Sequence, residues 1–384
     1  MAKKISNKFW FQLHGWFSLP IWLLFCFICI TGTISVLSHE LTWLTNPDSR
    51  AHNPSQVSEM SAGSVLRAFK DEHPSADVMG LNVREPYLTY VVMFTDVDKL
   101  YALAYVNQYT GAVQEINDGN TFINFMRSLH GWLLFPWQNG YSVGYYLVAF
   151  MSLILLGALI TGLVVYKKFW LAFFQFKLRK SQGGRTFAAD IHKLSGVWSL
   201  WFMTVMSLTG LWYLTQAVLW HAGVELEHHE TLNAADIPNS TINANAVETS
   251  VDLALGEIQQ LYTDFRPSYI MLPEHNRDTL KISGANDYVL YDDYSINIAY
   301  NTWNDTVVHH ANPDSMTGLQ TVMHITDPLH YGTIGGIWTK VIWFIFGCVL
   351  SGMSVTGFIM YQLRTKRARS QERSNARQLK AQQG

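Results

Sequence analysis

The sequence predicts an α-helical integral membrane protein, with four main transmembrane helices in two repeats and two small α+β domains outside the membrane. Three observations carry that reading. Four runs, 16–37, 129–166, 194–224 and 341–363, contain no Lys, Arg, Asp or Glu. Each is long enough to cross a hydrocarbon core, which takes about 20 helical residues. A second signal repeats: His14 is followed by Thr31-Gly32 and His192 by Thr209-Gly210, each glycine eighteen positions beyond its histidine. The third is charge segregation, with 17 of the 27 Lys and Arg in segments 1–13, 167–193 and 363–384, beside only Asp190 and Glu372 of the 29 acids.

Composition agrees. Hydrophobic residues are 49 % and aromatics 14 % of the 384 positions, more apolar than an average soluble chain. The net charge of −2 is uninformative because the charges are segregated, and it gives no reason to expect a nucleic-acid partner; the lipid bilayer is the expected one.

Residues 1–15 form a short N-terminal segment with Lys3, Lys4 and Lys8. The first helix is placed at 16–38. It outruns a signal-peptide core and lacks a small-x-small cleavage site after it, so it is expected to remain as an anchor. Residues 39–128 then read as an α+β domain. Met60, Val65, Leu66 and Phe69 give helical spacing over 59–72, ended by His73-Pro74. Strand-like runs follow at 79–83, 88–94, 100–106 and 112–116, the last two joined by a Tyr109-Thr110-Gly111 turn.

Residues 129–142 read as an interfacial segment broken by Pro136-Trp137-Gln138-Asn139-Gly140, and the second helix occupies 143–166. The basic loop 167–193 includes an aromatic stretch, 169–178, expected to lie along the interface. The third helix is placed at 194–221 and a second α+β domain at 222–329. There 251–262 reads as helix and 269–272, 279–283, 287–292 and 295–300 as strands, with Thr317-Gly318 in the place of Thr110-Gly111. The fourth helix takes 336–362. The tail 363–384, basic and without apolar period, is expected to be disordered or helical only near the membrane. The basic segments put both termini and the middle loop of this multi-pass protein in the cytoplasm and both α+β domains outside.

The repeat is legible in the helices themselves. Gly157-x-x-x-Thr161-Gly162-x-x-x-Tyr166 matches Gly352-x-x-x-Thr356-Gly357-x-x-x-Tyr361, and each is preceded by Leu-His, at His130 and His330. A unit of helix, domain, helix thus occurs twice in one orientation, related by an axis near the membrane normal. The Thr-Gly pairs are read as markers of register.

Among fourteen histidines, four are placed by this repeat. His14 and His192 lie at the cytoplasmic mouths of the first and third helices, His130 and His330 before the outer mouths of the second and fourth. The axis brings each pair to facing walls of one bundle, as required to ligate a haem iron from both axial sides. A single histidine at an interface needs no such role; four placed twice over favour it. Gly15, Gly131, Gly196 and Gly335-Gly336 are expected to let backbone approach a planar group. Without a CxxCH motif the two haems are expected to be non-covalent haem b. His39 and His221 are lesser candidates for the outer site, with interfacial anchoring as their ordinary role.

Other chemistry is poorly served. Glu225-Leu226-Glu227-His228-His229-Glu230 and His309-His310 have metal-binding residue types, but such acidic loops are ordinarily just solvated. Cys26, Cys29 and Cys348 all fall within the apolar runs and read as packing residues. The sequence has no phosphate-binding loop, dinucleotide fingerprint or HExxH.

The Leu-His mouths, the Thr-Gly pairs, Ser38-His39-Glu40-Leu41 with Asn46-Pro47, and the Thr-Gly turns together resemble the PepSY-associated transmembrane family. The resemblance covers roughly 5–365. The family includes iron-regulated inner-membrane proteins, among them di-haem ferric-siderophore reductases of Gram-negative bacteria. It implies PepSY-like outer domains framing the docking site of an iron chelate, with His14, His130, His192 and His330 as haem ligands. The acidic-Pro-x-Thr-Gly turn is degraded at Val106–Gly111 and better kept at Asn312–Gly318. The expected activity is reduction of periplasmic ferric siderophore to release Fe(II), with electrons from a cytoplasmic reductase or a quinol. Two rival readings are a haem-free anchor that binds or regulates a periplasmic partner, and a siderophore or metal permease, which the lack of acidic residues in the spans disfavours.

Overall fold

A computed structural model of the chain describes residues 6–227, 230–233, 237 and 244–383; Lys3, Lys4, His228 and His229 lie outside the described residues. In chain order the elements begin α1 (Asn7–Ser18), α2 (Trp22–Ser35), α3 (Ser38–Thr45), α4 (Ala62–Glu72), β1 (Asp77–Asn82), β2 (Tyr90–Asp96), β3 (Lys99–Val106) and β4 (Val113–Asn117). Next come α5 (Phe122–Trp132), α6 (Val143–Val165), α7 (Phe169–Phe173), α8 (Gly184–Trp198), α9 (Leu200–His221) and α10 (Ala244–Leu261). The chain ends with β5 (Arg266–Met271), β6 (Leu280–Ala285), β7 (Ile296–Asn301), β8 (Thr306–Ala311), α11 (Gly318–Tyr331) and α12 (Gly336–Gln383). Two compact units result. One holds the residues up to Leu37, Met126–Val218 and those from His330 onward; the other holds Ser38–Phe125 and Leu219–Leu329.

In the helical unit, α6, α9 and α12 are each long and apolar enough to cross a membrane, and α1 with α2 passes as one bent pair. The expected first span is therefore not one straight helix. It bends by 62° between Ser18 and Trp22, where Pro20 supplies no N–H and its ring clashes with the carbonyl one turn back. His14 thus sits on α1, not on the helix that carries Thr31-Gly32. The third span is also broken. At Ser199 the chain leaves the α8 helix, and the Ser199 hydroxyl turns back to donate to the Ser195 carbonyl. The tail departs from expectation in the other direction, with α12 running unbroken to Gln383. Its Arg and Lys residues are strong helix formers, which lets a helix already nucleated by its apolar half propagate.

The second unit corrects the expectation of two separate domains. Its eight strands form one antiparallel sheet in the order β4-β3-β2-β1-β5-β6-β7-β8, with β1 pairing β5 through Leu81 and Ile270. At that seam a side chain on Gly80 would collide with the Ile270 carbonyl. The helices meet across the same seam, where the Gly63 N–H donates to Asp252 Oδ1 at 2.9 Å and Arg67 reaches Asp252 Oδ2 at 2.9 Å. A single core results: Val65, Leu66 and Phe69 of α4 and Val251 and Ile258 of α10 are fully buried, in one cluster with Leu81, Val92, Ile270 and Ile282 of the sheet.

Strand positions follow the sequence reading except at two places. The run 287–292 is a turn, in which the Asn286 side chain accepts from the Tyr288 N–H at 3.1 Å and Leu290 has φ +74°. Conversely Thr306–Ala311, with its His309-His310, is strand β8. Thr317-Gly318 therefore does not occupy the place of Thr110-Gly111. The latter turns β3 into β4, with Gly111 at φ +74°. The matching turn between β7 and β8 is built on Asn301, whose side chain accepts from Trp303 N–H at 2.9 Å. Thr317 instead caps α11, its hydroxyl and N–H both bonding Gln320.

Candidate functional site

The four histidines placed by the repeat come together as two pairs. The rings of His14 (α1) and His192 (α8) have centroids 6.3 Å apart, and those of His130 (α5) and His330 (α11) are also 6.3 Å apart. The planes cross at 77° in the first pair and 33° in the second.

Each ring is anchored the same way. His14 Nδ1 lies 3.0 Å from the Ala158 carbonyl and 3.0 Å from Thr161 Oγ1 on α6. His192 Nδ1 lies 3.1 Å from the Met353 carbonyl and 3.2 Å from Thr356 Oγ1 on α12. His130 Nδ1 lies 3.1 Å from the Ile28 carbonyl and 3.4 Å from Thr31 Oγ1 on α2. His330 Nδ1 lies 2.9 Å from Thr209 Oγ1 on α9. In every case the threonine hydroxyl donates to its own helix, with the carbonyls three and four residues back both in reach. Its oxygen is left to accept. For His14, His130 and His192 the carbonyl can only accept, so the ring carries its proton on Nδ1 and the Nε2 lone pair is left free as a metal ligand; the Thr209 hydroxyl, bonded back to its own helix, suits the same tautomer at His330.

The threonines are what the sequence reading missed. The Thr-Gly pairs are not only register marks: each threonine bonds an imidazole, and at Gly32 the missing Cβ makes room for the His130 ring, whereas Gly162 and Gly357 stand at ordinary contact with theirs and Gly210 packs on Ser152. A Cβ on Gly32 would stand 2.5 Å from His130 Cε1, and Cβ atoms on Gly162 and Gly357 would stand 3.4 and 3.5 Å from the Cε1 atoms of His14 and His192. The glycines singled out beforehand do less. Gly131 has open space around it, and Gly15 faces only Leu19. The signal was present, since each Thr-Gly recurs with a histidine, but its partner lies on another helix about a hundred or more positions away.

What such a pair holds follows from distance. Two metal–nitrogen bonds of about 2 Å, plus about 1 Å from each nitrogen to its ring centre, separate the centroids by about 6 Å. Two imidazoles do not satisfy a bare ion, and no group of three or more His, Cys, Asp or Glu side chains able to hold a metal occurs among the described residues. A pair at this spacing could hold a metal that brings its other donors with it, such as the iron of a planar macrocycle. The His14–His192 pair opens on a cavity of about 850 Å³ with apolar walls, lined at its polar end by Arg185, Lys193 and Arg364. Lys193 stands over the Tyr166 ring and Arg364 over the Phe11 ring, at 5.7 and 5.5 Å. None of these three cations has a carboxylate within ion-pair distance among the described residues, so they suit an anionic edge of the ligand. Asp190, the one acid near this end, is taken up by Arg179 through two side-chain bonds of 2.7 and 3.0 Å.

The other candidates are placed differently. His39 Nδ1 donates to the Glu85 carboxylate at 2.7 Å, and His221 is exposed at the end of α9. His309 comes within 3.8 Å of Glu230, and His310 Nδ1 bonds the Tyr262 hydroxyl at 2.9 Å. His324, not singled out in the sequence, is the most strongly perturbed histidine outside the spans. Burial opposes its charge, but Asp292 at 2.9 Å and Glu227 at 3.3 Å overcome this and raise it to about 9. Cys26 and Cys348 are free thiols, as is Cys29.

A family model described as the PepSY-associated TM region matches residues 11–364. No curated protein matches the chain.

Proposed function

The chain belongs to the PepSY-associated transmembrane family, and from that premise we propose that it is an inner-membrane electron-transfer protein with two haem b groups that reduces periplasmic ferric siderophore and releases Fe(II). The observation that carries this reading is the pair of opposed imidazoles occurring twice at the same 6.3 Å spacing, with all four Nδ1 atoms turned outward.

On this reading His14 and His192 hold one haem on the cytoplasmic side and His130 and His330 hold the other on the periplasmic side. Bound there, haem would supply one-electron redox chemistry. The protein's own part is to fix the two ligand nitrogens, exclude water with the apolar walls, and offset the anionic edge of the inner group with Arg185, Lys193 and Arg364. The two units of helix, outer segment, helix are repeats in one orientation, and both termini face the cytoplasm with the basic segments. Electrons come from a cytoplasmic reductase or a quinol. At the outer face one electron converts Fe(III) to Fe(II), which the hard oxygen donors of a siderophore hold far less well, so the metal leaves without any bond of the chelator breaking.

The test is anaerobic. Purified protein reduced with dithionite and freed of excess reductant is mixed with a ferric hydroxamate and a ferrous-specific chromogenic chelator. The expected result is reoxidation of the absorbance spectrum in step with one trapped Fe(II) per electron lost. A haem-loaded protein that stays reduced in the presence of the ferric chelate contradicts the reading.

A further inference from the structure

The four histidine anchors are alike but not equal. Three rings have two acceptors for the Nδ1 proton, a main-chain carbonyl and a threonine hydroxyl: His14 with Ala158 and Thr161, His130 with Ile28 and Thr31, His192 with Met353 and Thr356. For His330 the Thr209 hydroxyl is the one Nδ1 partner among the described residues. The neighbouring side chains differ as well. Four residues beyond Thr209 on α9, Tyr213 sets its ring edge-on to His330 at 5.1 Å. Four residues beyond Thr31 on α2 stands the small Ser35, whose hydroxyl bonds back to the Thr31 carbonyl at 2.9 Å.

Resting on the two-haem reading above, we propose that Thr209 is the positioning residue on which the ligand state of the outer haem depends, whereas Thr31, Thr161 and Thr356 are each backed by a carbonyl. With Thr209 removed, the His330 Nδ1–H has no acceptor among the described residues, and the ring loses the bond that sets its angle. The imidazole is then free to rotate, and before haem binds the tautomer with the proton on Nε2, which cannot ligate iron, is no longer disfavoured. With Thr161 removed, the Ala158 carbonyl still takes the proton of His14 and the ligand nitrogen stays bare. Where groups of this kind have been removed from metal-ligating histidines, metal affinity or activity typically falls about 10–100-fold.

The experiment compares Thr209→Val with Thr31→Val, Thr161→Val, Thr356→Val and Thr209→Ser in the full-length protein. Haem-to-protein ratio, the low-spin bis-imidazole signature in electron paramagnetic resonance, and the midpoint potentials are read on each. Thr209→Val is expected to weaken the outer haem about 10–100-fold, reduce the outer low-spin signal, and raise the potential of any outer haem retained, because its ligand is less electron-rich. Thr209→Ser keeps the hydroxyl and is expected to match wild type, as are both haems of Thr31→Val, Thr161→Val and Thr356→Val to within a few-fold. If Thr209→Val does not accumulate in membranes, Thr209→Ala is read in the same way. A Thr209→Val protein with the ratio, signal and potentials of wild type overturns the proposal, as does equal loss in all four valine variants. Absence of haem from wild type itself is a different outcome, and it removes the two-haem reading.

Discussion

His14 and His192 are held by the same two bonds on different helices, α6 and α12, and their rings face one another at 6.3 Å. On the proposed two-haem reading, removing either imidazole would take away one ligand of a single site. We expect His14→Ala and His192→Ala each to lose one of two haems per chain, read by pyridine haemochrome assay, with the His130–His330 haem retained; loss of both haems contradicts the pairing. A second expectation concerns His324, raised to about 9 by Asp292 and Glu227 against the opposing effect of burial. Its folded value lies above the unfolded 6.5, so its contribution to stability is full below about pH 6.5 and is lost as pH rises through about 9. The shift corresponds to roughly 3 kcal/mol at most. Thermal unfolding of the outer unit followed between pH 6.5 and 10 should fall across that window in wild type and not in His324→Gln. A wild type as flat as the variant rules the clamp out. At this scale the sequence singled out the four histidines that the structure brings together in pairs, because the repeat marks them, and hid what holds them. Thr161 and His14 are 147 positions apart, and no local pattern links them.

At the scale of elements, periodicity was a good guide wherever burial alternates. In β6, Leu280 and Ile282 face the core while Lys281 and Ser283 do not, and the strand was visible. The run 287–292 failed because its Tyr and Val residues have strand propensity while Asn286 and the aspartates satisfy the backbone locally as turns. β8 was hidden for the opposite reason, its pattern of exposed residues giving no apolar alternation. Pro20 was in plain view within the first apolar run, yet hydropathy alone does not see a bend. The seam between the halves rests on glycines. Gly80→Val places a branched side chain against the Ile270 carbonyl, and overpacking of this kind costs about 1–3 kcal/mol. We expect the outer unit of Gly80→Val to unfold at lower temperature and to be cut sooner by protease, while the helical unit keeps its haem content. Unchanged unfolding would mean that β1 and β5 do not need this close approach.

Over the whole molecule, the strand order reads outward from β1 and β5 as two sets of four. The histidine anchors likewise fall into two sets, α1 on α6 with α5 on α2, and α8 on α12 with α11 on α9. Each set supplies one wall to each histidine pair. Nothing in the sequence repeat pointed to the fusion of the two α+β segments into one sheet, because strand edges are completed by pairing that hydropathy does not encode. Everything functional in this account depends on both histidine pairs holding the same kind of group. The most direct measurement is the optical spectrum and haem stoichiometry of the full-length protein purified from cells supplied with haem precursor. The expected result is a Soret band, an α-band that sharpens on dithionite reduction, and two haem b per chain. A protein that is folded and pure yet has no Soret band contradicts it.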